Sequence, residues 1–263
     1  MSSFDNKFKE LLDDRNSGSK ELLYKFNSLL YQYFDNISDF PSIINFAKNN
    51  WKEFQAIQTY ILKLNDFIVE GDKNKLFAFI RNYLTTENIV YRQIFDKLYS
   101  NIKSYKSFIT ISNSKTVFEI FTLLSQRKRD IELTISESRP QNEGKVLADN
   151  LLSLGLNVNF ITEAMIPGYV KNCNAAIIGT DSILKNGNII NKVGSKLLAI
   201  TCQYFNKPIF VIADKSKKKG DNNFIQNEHS RKEIWDYNHP NLHINNYYFE
   251  IIEKKLITKI ITD

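Results

Sequence analysis

Polar and charged side chains follow several short apolar runs in the second half of the chain. Ser112-Asn113-Ser114 comes after one such run, and Arg139 lies in Glu137-Ser138-Arg139-Pro140 after the next. Hydroxyl and amide groups at a helix start suit an anion, because the first N–H groups of a helix are unpaired and partly positive. Arg139 can hold a phosphate or carboxylate through two parallel hydrogen bonds, or it can pair with a neighbouring acid.

Two further positions later in the chain could bind or act on a ligand. Asp181, in Gly179-Thr180-Asp181, can accept hydrogen bonds from ligand hydroxyls or serve as a general base, although aspartate is equally common in turns. Asn191 and Lys192 precede Gly194, which is predicted to open a helix. A lysine, an amide and a helix N-terminus together predict a phosphate-binding site. The spacing matches neither a Walker loop nor GxGxxG, so a nucleoside triphosphate is not indicated.

Alternating strands and helices must position these residues. Apolar runs typical of buried strands alternate with helical periodicity from residue 105 onward. This alternation predicts an α/β fold with a mostly parallel sheet covered on both faces, which binds ligands at the carboxyl ends of its strands. The predicted strands are 108–111, 131–136, 158–161, 175–178 and 209–213, and the predicted helices are 115–125, 143–154 and 194–205.

The first 104 residues show only helical periodicity. Apolar stripes run through residues 22–30, 54–67 and 94–102, and Pro41 suits the first turn of a helix. We therefore predict a helical domain over residues 1–104, built from four to six helices, and a second domain over residues 105–263.

Composition excludes several classes of protein. Hydrophobic residues make up 43% of the chain and charged residues 24%, so the chain can bury a core and is not disordered by default. Cys173 and Cys202 are too few for a disulfide framework, and the three histidines near the C-terminus lack metal-site spacing and are predicted to lie in a surface loop. We predict no metal and no cofactor.

Charge and hydropathy suggest where the protein works. The net charge is +6, with basic runs at Arg127-Lys128-Arg129 and at 215–219, and neither run is interleaved with aromatic residues. Both are predicted to be solvated loops, and no direct nucleic-acid binding is expected. No leader-like segment or long apolar run is present, which predicts a cytoplasmic protein with no membrane association.

Three segments, taken in order, resemble a known family. The segments are ESRP, GTDSILKNGNIINKVGS and KPIFVIADKSK. Together they resemble the superfamily of the translation initiation factor 2B alpha, beta and delta regulatory subunits, which also contains methylthioribose-1-phosphate isomerase and ribose-1,5-bisphosphate isomerase. The resemblance covers residues 105–263. It implies a helical domain followed by a Rossmann-like domain that forms a homodimer through the latter, with protein partners in translation.

The resemblance also assigns roles to individual residues. Asp181 matches the catalytic aspartate of the isomerases, and Asn191 and Lys192 match residues that hold a sugar phosphate. Arg139 matches the arginine of the family's glutamate–Thr/Ser–arginine–proline motif. The isomerase cysteine after the first strand is Ser112 here, and a glutamine common in the isomerases is Glu143. A serine without a neighbouring base cannot replace a thiol, and a carboxylate at position 143 would repel phosphate.

These departures favour a non-catalytic relative of the regulatory subunits with a pocket for a sugar phosphate or nucleoside monophosphate. Its predicted ligand-binding residues are Arg139, Asn191, Lys192, Asn113, Ser114 and Gly194. The alternative is an aldose–ketose sugar-phosphate isomerase that uses Asp181, with Ser112 or another group in place of the thiol. A third hypothesis is a partner-binding module whose pocket has no ligand.

Overall fold

The N-terminal part of the chain folds into helices. The computed structural model describes residues 3–14, 17–128 and 130–263. Asp39 and Asp72 cap two of the helices by accepting backbone hydrogen bonds from Ser42 and Lys75, each at 3.0 Å. The helices are α1 (Ser3–Leu12), α2 (Ser19–Gln32), α3 (Phe40–Asn50), α4 (Gln55–Glu70) and α5 (Lys73–Ile102). The predicted helical stripes correspond to α2, α4 and the end of α5.

The rest of the chain alternates strands and helices, as the periodicity predicts. Ser114 begins α6 by accepting a hydrogen bond from the Val117 amide at 3.4 Å. The strands are β1 (Ser107–Thr110), β2 (Glu132–Ser136), β3 (Asn157–Ile161), β4 (Ala175–Ile178), β5 (Ser182–Ile183), β6 (Ile189–Lys192), β7 (Ile209–Ala213), β8 (Phe249–Ile252) and β9 (Lys259–Thr262). The helices are α6 (Lys115–Arg127), α7 (Gly144–Leu152), α8 (Ile166–Val170) and α9 (Ser195–Tyr204).

The main sheet is parallel and has the order β3-β2-β1-β4-β7-β9. The chain moves from β1 outward through β2 to β3, and then returns to place β4 on the other side of β1. The α/β class with a mostly parallel sheet is therefore confirmed. A sheet of this kind has its ligand crevice where the order reverses, which here is between the carboxyl ends of β1 and β4.

Both faces of the main sheet are buried. Alternate strand residues such as Phe108 and Ile109 belong to different clusters, one with α5, α6 and α7 and the other with α8 and α9. A separate apolar cluster fills the interior of α1 to α4 and the start of α5. The last turns of α5, from Ile94 to Ile102, pack in the core of the sheet. One long helix thus takes part in both cores, and the domain boundary at residue 105 stays a prediction.

A small antiparallel sheet, β5-β6-β8, lies beyond the end of β4. It carries Asn191 and Lys192 on β6 and leads into α9. Gly194, immediately before α9, has a φ of 96°, a left-handed conformation that disfavours side chains. An added Cβ would meet the Ile111 side chain at 2.8 Å, so the glycine allows this turn to lie against the end of β1.

Candidate functional site

A cavity of about 400 Å³ lies between the N-terminal helices and the carboxyl ends of the strands. The segments that follow β1, β2, β4 and β7 all contribute side chains to it, as do β6 and the N-terminal end of α2. Its size is that of an ordinary small-molecule pocket. Its polar lining residues include Ser19, Lys20, Ser112, Asn113, Ser114, Gln141, Glu143, Asp181, Asn191, Lys192, Lys217 and His229.

The fold brings together most of the residues that the sequence singled out. Ser112, Asn113, Ser114, Asp181, Asn191 and Lys192 all line this cavity. Arg139 is exposed and is not among the lining residues. Gly194 is not among them either. Its role in the structure is to form the tight turn before α9. For both residues, ligand binding stays a prediction that the geometry does not favour.

Lys192 forms a buried cluster with Glu143 and Ser112. The Lys192 ammonium lies 2.9 Å from Glu143 Oε1, and both side chains are less than a tenth exposed. Ser112 Oγ donates a hydrogen bond of 3.1 Å to the same carboxylate oxygen. Burial raises the pKa of Glu143, although Lys192 and Ser112 oppose this shift. Glu143 therefore bonds to both residues: to Lys192, which was predicted to hold phosphate, and to Ser112, which stands in place of the isomerase cysteine.

Asp181 lies in a second cluster. It follows β4, whereas Ser112 and Glu143 follow β1 and β2 on the other side of the point where the strand order reverses. Its half-buried carboxyl is hydrogen-bonded by the Ser19 side chain and lies near the Lys217 ammonium. Burial raises the pKa of Asp181, and these two neighbours partly offset the rise. Burial also lowers the pKa of Lys217, whose Nζ donates to the Thr180 carbonyl. A carboxyl of this kind can bind ligand hydroxyls or move a proton.

The same charge cluster continues into the helical part of the chain. Lys20 on α2 lies 3.1 Å from Asp214, and both side chains are less than a tenth exposed. Burial alone would raise the pKa of Asp214, but the charges of Lys20 and Lys217 outweigh it and lower this pKa. Ser19 and Lys20 are neighbours at the start of α2, so one helix end is joined to the sheet through two carboxyls.

The N-terminal end of α2 is a part of the site that the sequence reasoning missed. Gly18 and Ser19 line the cavity, and the N-cap residue Gly18 has no side chain with which to cap the helix. An added Cβ on Gly18 would lie 2.6 Å from the Asn113 carbonyl oxygen. The N-terminal end of α2 therefore lies beside the loop after β1. In the sequence, Ser17-Gly18-Ser19 is a signal for the start of a helix, and nothing in it indicates a binding site.

Two more lining residues differ from expectation. His229 lies in an irregular segment, as predicted, but it is half-buried in the cavity wall and stacked on Tyr248 with ring centroids 3.5 Å apart. Lys217 is buried, and the prediction that residues 215–219 form only a solvated loop was wrong for it. In the other basic run Arg127 is exposed, Lys128 donates to the Tyr105 carbonyl at 2.9 Å, and Arg129 lies outside the described residues.

The lining of the cavity carries both positive and negative charges. Among the described residues, the lining contains five lysines (Lys20, Lys52, Lys115, Lys192 and Lys217) and five carboxylates (Asp14, Glu53, Glu143, Asp181 and Glu228). A balanced lining lacks the strong positive potential that a highly charged anion requires. Within the same part of the chain, no helix is both long and apolar enough to cross a bilayer.

Known proteins resemble this chain in sequence. Residues 44–263 match the sequence model described as the Initiation factor 2 subunit family. A translation initiation factor eIF-2B subunit 2-like protein of Pyrococcus furiosus is 32% identical over 159 residues, which cover 59% of this chain and 55% of that protein. A ribose 1,5-bisphosphate isomerase of Methanocaldococcus jannaschii is 23% identical over 252 residues, covering 93% of this chain and 81% of the isomerase. The first match thus spans little more than half of that relative's length.

Solved structures share the fold. The translation initiation factor eIF-2B of Pyrococcus horikoshii superposes with a TM-score of 0.82 at 23% identity, over 100% of this chain and 96% of the other. The tetrameric eIF2B-beta2-delta2 complex from C. thermophilum gives a TM-score of 0.80 at 14% identity, over 100% of this chain and 91% of the other. At these identities the likeness concerns the fold alone.

Proposed function

The chain belongs to the initiation factor 2 subunit family, and from this premise we propose that it is a non-catalytic, regulatory-type member whose cavity binds a phosphorylated small molecule. The family holds both eIF-2B-like proteins and isomerases among its relatives, so membership leaves the choice between regulation and catalysis to the site. The ligand class that we propose is a sugar phosphate or a nucleoside monophosphate.

The hydrogen bond from Ser112 to Glu143 is the observation that carries the non-catalytic proposal. A hydroxyl becomes a nucleophile or proton donor only beside a base that can take and return its proton. Among the described residues, the Ser112 hydroxyl donates to Glu143, and the ion pair of Glu143 with Lys192 opposes its protonation, so this carboxylate is poorly suited to take the serine proton. Neither cysteine lines the cavity, since Cys173 and Cys202 lie in the core between the sheet and α8 and α9.

Lys192 and the first turn of α2 support the binding of a single phosphate. Both line the same cavity, and the partial positive charge of a helix N-terminus together with an ammonium forms a favourable environment for an anion. Because the charges of the described lining residues balance, a monophosphate suits the cavity better than a bisphosphate does. The stacked rings of His229 and Tyr248 offer an apolar surface for a sugar or base.

Calorimetric titration with ribose 5-phosphate, AMP and GMP tests this proposal. At least one compound is expected to bind, and Lys192→Gln is expected to weaken its affinity roughly tenfold. The double variant Lys192→Gln/Glu143→Gln removes both charges of the buried pair. It therefore tests the loss of Lys192 without leaving the Glu143 carboxylate as an unpaired buried charge. Lys185→Gln removes an exposed lysine that does not line the cavity and is expected to change nothing. Absence of binding, or equal binding by all four proteins, would contradict the proposal.

We further propose that the chain forms a homodimer through its α/β part and acts in translation through protein partners. Leu197, Ile200 and Tyr204 are exposed and lie along one side of α9, a pattern typical of an interface. Light scattering of the purified protein is expected to give the dimer mass. Ile200→Lys should give a monomer, whereas Ile225→Lys, at an exposed isoleucine outside α9, should leave a dimer. A wild-type monomer would contradict the homodimer.

The second candidate function is a sugar-phosphate isomerase. The specific observation in its favour is Asp181, whose carboxyl lines the cavity and has a raised pKa that suits proton transfer. Turnover is to be assayed with ribose-1,5-bisphosphate and methylthioribose-1-phosphate. Turnover that Asp181→Asn abolishes would replace the non-catalytic proposal, and its absence in a protein that still binds a monophosphate would support it.

A further inference from the structure

A second cavity, of about 460 Å³, lies between α4 and α5 in the helical part of the chain. Aromatic side chains from both helices form much of its wall: Tyr60, Phe67, Phe79 and Tyr83. Ala56 and Ala78 leave open space beside these rings. Ligand pockets are commonly of about this size and mostly apolar, with a few polar groups at fixed positions.

The aromatic rings of this groove pack against one another and form one wall. Tyr60 and Phe79 are stacked with their centroids 5.3 Å apart and their planes at 26°. Phe67 lies 5.3 Å from the ring of Phe79, and Tyr83 lies 4.8 Å from the ring of Tyr60. A ring-containing ligand can pack against such surfaces with offset or edge contacts.

Hydrogen bonds hold both walls of the groove in place. The Tyr83 hydroxyl accepts from Lys20 Nζ at 3.3 Å, and Thr59 Oγ donates to the Ser216 carbonyl at 2.8 Å. Lys20 also forms the buried pair with Asp214, so the groove wall is fixed to the main sheet. A ligand entering a preformed groove does not have to order its walls, which removes part of the entropy cost of binding.

The charge around the groove is positive. Lys63 and Lys75 line it, and none of the lining residues whose side chains the structure describes is acidic. Glu70 and Asp72 lie 3.3 Å and 3.6 Å from the Lys75 ammonium and offset its charge. Lys63 forms no ion pair with any side chain that the structure describes, and it is exposed. We propose that this groove is a second ligand-binding site, which takes a flat, ring-containing apolar molecule with one anionic group facing Lys63.

This groove is separate from the cavity at the strand ends that contains Lys192, which is called the phosphate cavity below. The proposal for the groove does not depend on the function proposed for the phosphate cavity. Fluorescence titration with 8-anilinonaphthalene-1-sulfonate, an aromatic monoanion, tests the proposal in the full chain. We expect saturable binding of one molecule per chain. Ala78→Trp fills the groove and is expected to weaken binding about tenfold or more. Lys63→Gln changes one exposed side chain and is expected to weaken binding about threefold.

Two control variants locate the bound dye. Lys48→Gln removes an exposed lysine of α3 outside the groove, and Lys192→Gln alters the phosphate cavity; neither is expected to change the affinity. Non-saturable binding, binding that both groove variants leave intact, or binding lost in Lys192→Gln would overturn the proposal. Lys63→Gln keeps the test valid if Ala78→Trp does not fold.

Discussion

Lys20 at the start of α2 forms a buried ion pair with Asp214 after β7, at 3.1 Å. We predict that Lys20→Met lowers the free energy of unfolding by about 3 kcal/mol, because it leaves a carboxylate buried with one cation fewer. Urea unfolding followed by circular dichroism measures this. Lys25 also lies on α2, but it is exposed and pairs with Asp14. Lys25→Met should lower the free energy of unfolding by less than about 1 kcal/mol. Equal effects of the two variants would contradict the importance of burial.

Asp214 should make the protein sensitive to acid. Its folded pKa is lowered because Lys20 and Lys217 outweigh the effect of burial, so its stabilising contribution is present above the unfolded pKa of about 3.9 and is lost as pH falls through the folded pKa. The difference in unfolding free energy between wild type and Asp214→Asn should therefore shrink as pH falls below about 4. Urea unfolding between about pH 7 and pH 3 tests this. Asp236→Asn, at an exposed carboxyl, should show no such trend.

Glu143 should weaken phosphate binding at Lys192. Glu143→Gln removes a negative charge that lies 2.9 Å from the Lys192 ammonium, and we expect the affinity for the monophosphate found by calorimetry to rise roughly tenfold. Glu137→Gln changes a carboxyl of the same loop that does not line the cavity and should have no effect. An unchanged or weaker affinity in Glu143→Gln would place the phosphate away from Lys192.

Ser112→Cys should give a thiol of low reactivity. Ser112 Oγ lies 3.1 Å from Glu143, and a carboxylate at that distance raises the pKa of a thiol. Iodoacetamide should alkylate this variant slowly, and about tenfold faster once Glu143→Gln is added. Background alkylation of the two native cysteines is expected to be low, because both are buried and burial raises the pKa of Cys202 to about 12. Equal rates with and without Glu143→Gln would show that the carboxylate does not control this position.

Gly18→Ala should displace the end of α2 from the loop after β1. An added Cβ would lie 2.6 Å from the Asn113 carbonyl oxygen, so the helix must shift, at a cost of about 1–3 kcal/mol in unfolding free energy. Gly220→Ala is the matched control, because nothing lies within 4 Å of its Cβ and its φ is not positive. Chemical denaturation compares the two variants. Equal stability would show that the contact relaxes without cost.

The fold could be predicted from the sequence because apolar residues recur with the periods of helices and strands. Strand residues such as 175–178 and 209–213 are apolar without interruption because both faces of the sheet are covered, and the observed strands agree with those predictions. Helix ends such as α3 carry their own signals, here Asp39 and Pro41. These features are local, so a single sequence contains them.

The site was only partly predictable, because its contacts join distant parts of the chain. Ser112, Asp181 and Lys192 were found because residues after parallel strands share one edge of the sheet. The pairing of Lys192 with Glu143 and of Lys20 with Asp214 depends on how α7 and α2 pack, and no local pattern encodes it. The arginine motif drew attention to Arg139, yet its exposed side chain is not among those lining the cavity.

The cavity is lined by segments from Leu12 to Phe249, and this arrangement has a consequence for synthesis on the ribosome. The helical segments emerge first and can pack among themselves, but the wall that contains Tyr248 emerges only after most of the chain has been made. Contacts between residues so far apart in sequence form late in folding. A nascent chain is therefore expected to gain its helical core well before it can bind a ligand.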